Sequence, residues 1–198
     1  MKARVGIFGG TFNPPHIGHI AAAKAFADEV KLDSLIIIPA FIPPHKEYDS
    51  DVSCADRLSM CEIAFKDIPN AAVSDLEIVR GGKSYTYLTL QELSADDREL
   101  FFLCGTDMIL TMDTWKNPEV IFSLATICYI RRENDDDTTV LIYKKLNEYA
   151  TKYGARVIPI ESQVIEISSS EVRGDVMDNS SYLTDGVMEY IRKAGLYV

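Results

Sequence analysis

The chain is short of positive charge. Lys and Arg number 20 against 30 Asp and Glu in 198 residues, a formal net charge of −10. Sequence-independent nucleic-acid binding draws its affinity from Lys and Arg neutralising phosphates, so no nucleic-acid partner is expected. Any polyanion site must then be built from a few placed cations against the global field. No apolar run approaches the roughly 20 residues of a membrane span, so no membrane partner is expected either. The cysteines, Cys54, Cys61, Cys104 and Cys128, form no Cys-x-x-Cys pair, which leaves reduced thiols as the expectation. Met1-Lys2-Ala3-Arg4 runs straight into a strand pattern, so no signal peptide and a cytoplasmic location are expected. Two nucleotide motifs are missing. Gly82-Lys83-Ser84 ends like a phosphate-binding loop, but the first glycine of that motif would fall on Glu77. No GxGxxG follows the first strand, which removes the dinucleotide fingerprint. Asn179-Ser180-Ser181 fits a glycosylation sequon, but nothing routes the chain to secretion.

What is present is ordinary for a soluble globular chain: 47% hydrophobic and 25% charged residues. The length predicts one domain over residues 1–198, with residues 174–198 a C-terminal helical tail. Strand patterns fall at 3–8, 34–39, 71–75, 100–104, 126–131 and 155–160. Helical patterns fall at 20–31, 54–66, 84–93, 118–123, 138–153, 169–177 and 185–193, the last closed by Gly195. Continuous apolar strands alternating with helices predict an α/β fold with a doubly wound parallel sheet. Such sheets bind ligands at the carboxyl ends of their strands.

Five stretches carry candidate chemistry. Gly9-Gly10-Thr11-Phe12-Asn13-Pro14-Pro15-His16-Ile17-Gly18-His19 joins the first strand to the first helix. Unpaired N–H groups and the dipole at a helix start favour an anion. His16 and His19, three apart, face the same way and can place two imidazole donors on one phosphate. A zinc reading fails for lack of nearby Cys or acidic ligands, and no metal site is expected. Pro43-Pro44-His45-Lys46 follows the second strand, so Lys46 is a point charge on a proline-stiffened loop. Ser84-Tyr85-Thr86 opens a helix, with Ser84 an expected N-cap. Gly105-Thr106-Asp107 ends a strand, with Trp115-Lys116 downstream; Asp107 can accept from ribose hydroxyls. Trp115, the single Trp, is either a core residue or a stacking face. Ile167-Ser168-Ser169-Ser170-Glu171-Val172-Arg173 reads as a serine-capped helix start, a geometry that also suits phosphate. Arg57 reads first as a structural ion-pair former, and Asp135-Asp136-Asp137 as a solvated loop opening a helix.

His16-Ile17-Gly18-His19 and the Ser168–Arg173 stretch resemble the two signatures of the nucleotidylyltransferase superfamily. The glycine turn before the histidines, PPHK, Ser84-Tyr85-Thr86 and the Gly105-Thr106-Asp107/Trp115 pair resemble its nicotinate mononucleotide adenylyltransferases. Asn13 stands where that family often has Asp, and Ser170 where Thr is frequent. The resemblance implies a Rossmann-like sheet of the nucleotidylyltransferase type. It implies an ATP site made by Gly9, Gly10, Thr11, Phe12, His16, Gly18, His19, Gly105, Asp107, Ser169, Ser170 and Arg173. It implies a mononucleotide site made by Asn13, Lys46, Thr86, Asp107, Trp115 and Lys116, with Trp115 stacked on the nicotinate ring. His16, His19, Lys46 and Arg173 would carry catalysis.

The implied reaction joins ATP to nicotinate mononucleotide, with Mg²⁺ bridging the phosphates. The nucleophile would be a phosphate oxygen, already largely dianionic at neutral pH because a phosphomonoester's second pKa is about 6. No general base is then required. Rival expectations are nicotinamide mononucleotide or phosphopantetheine as acceptor, a non-catalytic nucleotide sensor, and a redox protein holding a finished dinucleotide. PPHK and Trp115 weigh against pantetheine, the intact histidines and Arg173 against the sensor, and the missing fingerprint against the redox protein. Homo-oligomer formation is compatible with the sequence and is not specified by it.

Overall fold

A computed structural model describes residues 2–44, 52–130, 136–161 and 167–197. Along the chain run β1 (Ala3–Gly10), α1 (Ile17–Val30), β2 (Ser34–Pro39), α2 (Cys54–Phe65) and β3 (Ala71–Val73). There follow α3 (Leu76–Arg80), α4 (Thr86–Leu93), β4 (Arg98–Gly105), α5 (Thr106–Thr111), a 3₁₀ turn (Met112–Thr114) and α6 (Pro118–Leu124). The rest comprises β5 (Ala125–Ile130), α7 (Asp136–Tyr153), β6 (Val157–Ile160), α8 (Ser169–Gly174), a second 3₁₀ turn (Ser180–Tyr182) and α9 (Asp185–Ala194). Lys46, in residues 45–51, and Asp135 lie outside the described residues.

The strands form one parallel sheet in the order β3-β2-β1-β4-β5-β6. Side chains on a strand alternate faces, and the strands obey that period. On β4, Leu100, Phe102 and Cys104 join one core cluster while Phe101 and Leu103 join the other. On β2, Leu35 and Ile37 meet α1, α2 and α9; on β5, Ile127 and Tyr129 face the side of α4 to α7. Burial on both faces explains why these strands read as unbroken apolar runs. The chain winds outward from β1 to β3, returns, and winds outward again from β4 to β6. The order therefore reverses between β1 and β4, where loops leaving adjacent strand ends diverge and open a crevice.

Several elements depart from the sequence patterns. α1 starts at Ile17, three residues before the expected start, because His16 serves as its N-cap. Ser84 does not cap α4; Tyr85 holds that position, and Ser84 Oγ instead accepts the Phe41 N–H at 2.9 Å. The short α3 and α5 fall outside the helical patterns, since five or six residues carry too little periodicity to mark them. α8 stops at Gly174. Gly195 ends α9 in the left-handed region at φ 64°, a conformation that glycine adopts without steric cost.

Candidate active site

A cleft of about 490 Å³ opens at the carboxyl ends of β1 and β4. Its walls include Gly9, Gly10, Thr11, Asn13, His16 and His19 from the first turn, and Ser169, Ser170 and Arg173 from α8. Thr86, Gly105, Asp107, Trp115 and Lys116 line it too. His19 and Arg173, 154 positions apart in the chain, thus face one space. Phe12 and Gly18 are not on the wall. Gly18 lies within α1, and the Phe12 ring is 1% exposed, turned into the core.

The first turn is fixed by its own side chains. The Phe12 ring meets Phe8, Phe65 and His19 edge-on, with centroids 5.3, 5.6 and 5.1 Å away. It fills the space a Cβ on Gly10 would need, at 2.9 Å. Gly10 is therefore required for the Phe12 ring, not only for a ligand. His16 is 3% exposed, and its ring centroid is 3.7 Å from that of His19. The His16 backbone N–H donates to His19 Nδ1 at 3.2 Å. An accepting Nδ1 leaves the proton on Nε2 in the neutral ring. His19 thus offers an N–H donor whose tautomer is set by the helix start.

Two arginines tie loops together. Arg57, 0% exposed, donates through Nη1 to the Thr11 carbonyl at 2.8 Å. Its Nη2 donates to the Phe41 carbonyl at 3.4 Å and to Cys54 Sγ at 3.1 Å. It joins the loop after β1 to the loop after β2: the structural role expected of it is met, but in these bonds through carbonyls and a thiol and not through a carboxylate. Arg173 Nη1 donates to the Asn13 carbonyl, and Nη2 to Ser170 Oγ at 3.1 Å. Ser169 Oγ donates to the Pro14 carbonyl at 2.9 Å. These bonds dock α8 on the first turn. Ser168 and Glu171 form a reciprocal capping box. The bonds with Ser168 hold the Glu171 carboxyl below its usual range. The Tyr197 hydroxyl donates to Asn13 Oδ1, so the chain's tail reaches the same turn.

On the other side, Trp115 is half-buried, packed edge-on to Phe102 with centroids 6.3 Å apart at 82°. The 3₁₀ turn before it is anchored by Asp113, which accepts from Lys145 Nζ at 2.9 Å and from the Tyr149 hydroxyl at 3.1 Å. Burial raises the Asp113 pKa, but those bonds outweigh it and the net shift is downward. Cys104 is also on the wall, and burial pushes its thiol up, out of the range of a nucleophilic thiolate. Burial likewise pushes Cys128 up to about 12.

Fold and site together define an α/β protein of the doubly wound class, with a cleft at its strand switch lined by the glycine turn, two histidines and the start of α8. The cytidylyltransferase-like family model matches residues 7–175. A probable nicotinate-nucleotide adenylyltransferase of Citrifermentans bemidjiense is 37% identical, with 98% of each chain covered. One from Desulfatibacillum aliphaticivorans is 33% identical, covering 98% of this chain and all of its own. The chain belongs to the nicotinate-nucleotide adenylyltransferase family. The same fold occurs in a Plasmodium falciparum nicotinic acid mononucleotide adenylyltransferase solved in complex with NaAD. That structure has a TM-score of 0.75 and 20% identity, with 98% of this chain and 97% of that chain covered. Among the described residues, no helix is long and apolar enough to cross a membrane.

Proposed function

We propose that this chain transfers the adenylyl group of ATP to nicotinate mononucleotide, giving nicotinate adenine dinucleotide and pyrophosphate in NAD biosynthesis. The observation that carries the reading is the shared cleft: phosphate-type donors from β1, α1 and α8 share one cavity with Trp115 and Thr86. The reading takes residues 1–198 as one working unit, with the tail bracing the first turn through Tyr197.

The acceptor's phosphate oxygen attacks the α-phosphorus of ATP. A new P–O bond forms as the bond to the β-phosphate oxygen breaks, and its electron pair leaves with pyrophosphate. The attacking monoester needs no deprotonation at neutral pH. Catalysis then rests on positioning and on stabilising charge as it spreads over the transferring group. His19 donates from Nε2 to the α-phosphate region, and His16 stands beside it. Arg173 and the Ser169–Ser170 start of α8 hold the leaving pyrophosphate, and the guanidinium fork suits that anion. Lys46 is assigned to the acceptor's phosphate by family resemblance. Trp115 stacks on the pyridine ring, Thr86 lies beside it, and Asp107 accepts from ribose hydroxyls.

Among the described residues, no group of three or more His, Cys, Asp or Glu gathers as a metal cage. Mg²⁺ would therefore arrive with the triphosphate, and Asp107 on the cleft wall would be a carboxylate available to help hold it. Bound there, Mg²⁺ would neutralise phosphate charge. The test is pyrophosphate release from ATP with nicotinate mononucleotide, nicotinamide mononucleotide or phosphopantetheine as acceptor. Release should be fastest with the first. Release with phosphopantetheine alone, or with none, overturns the reading.

A further inference from the structure

The acceptor side of the cleft has an acid in its wall. Glu77, on α3, is 6% exposed yet lines the cavity with Thr89 and Leu90 of α4. Leu90, Phe102 and Ile121 are also on the wall, and all three sit in the core cluster against which Trp115 packs. Glu77 therefore stands on the Trp115 side of the sheet, while His19 leans on Phe12 in the opposite cluster. An uncompensated carboxylate there would repel an acidic ring.

The compensation is a relay. Arg80 Nη2 donates to Thr89 Oγ1 at 2.9 Å, and the Thr89 hydroxyl donates on to Glu77 Oε1. Arg80 Nη2 also stands 3.7 Å from Glu77 Oε1, and Nη1 3.1 Å from Glu92 Oε1. Arg80 does not line the cavity; it neutralises the wall from behind. Glu92 is 41% exposed at its side chain, so water screens its charge.

We infer that the Arg80–Thr89–Glu77 relay tunes acceptor specificity: by compensating the wall's acid it keeps the cleft from rejecting the carboxylate-bearing pyridine nucleotide in favour of its neutral amide. The two acceptors have the same shape and differ by one unit of charge at the ring. Arg80 is a positioning and charge-compensating residue here. A unit charge left uncompensated in that wall would shift the preference roughly tenfold if it acted over about 10 Å at an effective dielectric of about 20.

The inference rests on the proposed reaction. Its test is the ratio of kcat/KM for nicotinate against nicotinamide mononucleotide, paired with calorimetric Kd values for both acceptors, which need no turnover. Arg80→Gln should lower the ratio about tenfold, and Arg80→Lys should retain most of it. Glu77→Gln in the Arg80→Gln background should restore it. Glu77→Gln alone, a near-isosteric change, should raise the ratio, and this variant keeps the test alive if loss of Arg80 unfolds the protein. Equal losses for both acceptors, or an unchanged ratio in both single variants, would overturn the inference. No pyrophosphate release from the wild type with either acceptor defeats the proposed reaction instead. The binding ratio still decides the relay in that case.

Discussion

His19→Ala separates chemistry from stability within one substitution. Among the side chain's structural contacts, its Nδ1 accepts the His16 N–H at 3.2 Å, and its ring meets Phe12 at 5.1 Å. Loss of an N-terminal cap acceptor costs about 1 kcal/mol, and an edge-on aromatic contact contributes about 0.5–1.5 kcal/mol. The variant should therefore lose about 2 kcal/mol in urea unfolding and remain folded at 25 °C. The proposed catalytic contact is the Nε2 donor to the transferring phosphate. Loss of one donor of that kind costs about 10²–10³-fold in kcat, or about 3–4 kcal/mol of barrier. KM for ATP should change far less, because the donor acts mainly on charge developing in transit. The assay is steady-state pyrophosphate release at saturating substrates, with circular dichroism and urea titration on the same preparation. A kcat within threefold of wild type would refute the assignment of His19, whatever the stability loss.

Three further outcomes follow from the geometry. Trp115→Ala should raise KM for the mononucleotide about tenfold, the worth of a stacked aromatic face, and raise KM for ATP much less; equal increases would make Trp115 a packing residue only. Arg57→Met should lower stability by about 2–4 kcal/mol in urea, since it strips the part-buried Thr11 carbonyl of its donor while relieving the burial of one charge; a change under about 0.5 kcal/mol would show that the two loops hold without it. The Asp113 carboxyl is depressed in the fold, so its contribution is complete above its unfolded pKa and is lost as pH falls through the lower folded value. The difference in Tm between wild type and Asp113→Asn should accordingly be full at neutral pH and shrink below about pH 4; a difference that grows on acidification would contradict the sign.

The parallel sheet was legible because its strands are buried on both faces and flanked by helical periodicity. The His16/His19 pair was legible because three-residue spacing at a helix start needs no tertiary information. What the chain did not disclose depends on contacts across long separations. Arg57 meets carbonyls 46 and 16 positions away, Tyr197 meets Asn13 across 184, and nothing local marks either pairing. Gly10 belongs to the ATP site that the resemblance implies, yet the Phe12 ring also occupies the place of its missing Cβ, which only the folded turn reveals. Ser84 looked like a cap because its type and place were right, but a backbone N–H from the β2 loop lay within reach of its hydroxyl. Glu77 and Arg80 sit on a helix of five residues, too short for its face to be assigned from sequence.

Direct displacement within one cleft is tested most squarely by stereochemistry at phosphorus. ATP made chiral at the α-phosphorus by a single sulfur should transfer with inversion to nicotinate mononucleotide, since one in-line attack by the acceptor inverts the centre once. Retention would mean two displacements and an adenylylated protein side chain, which contradicts the account.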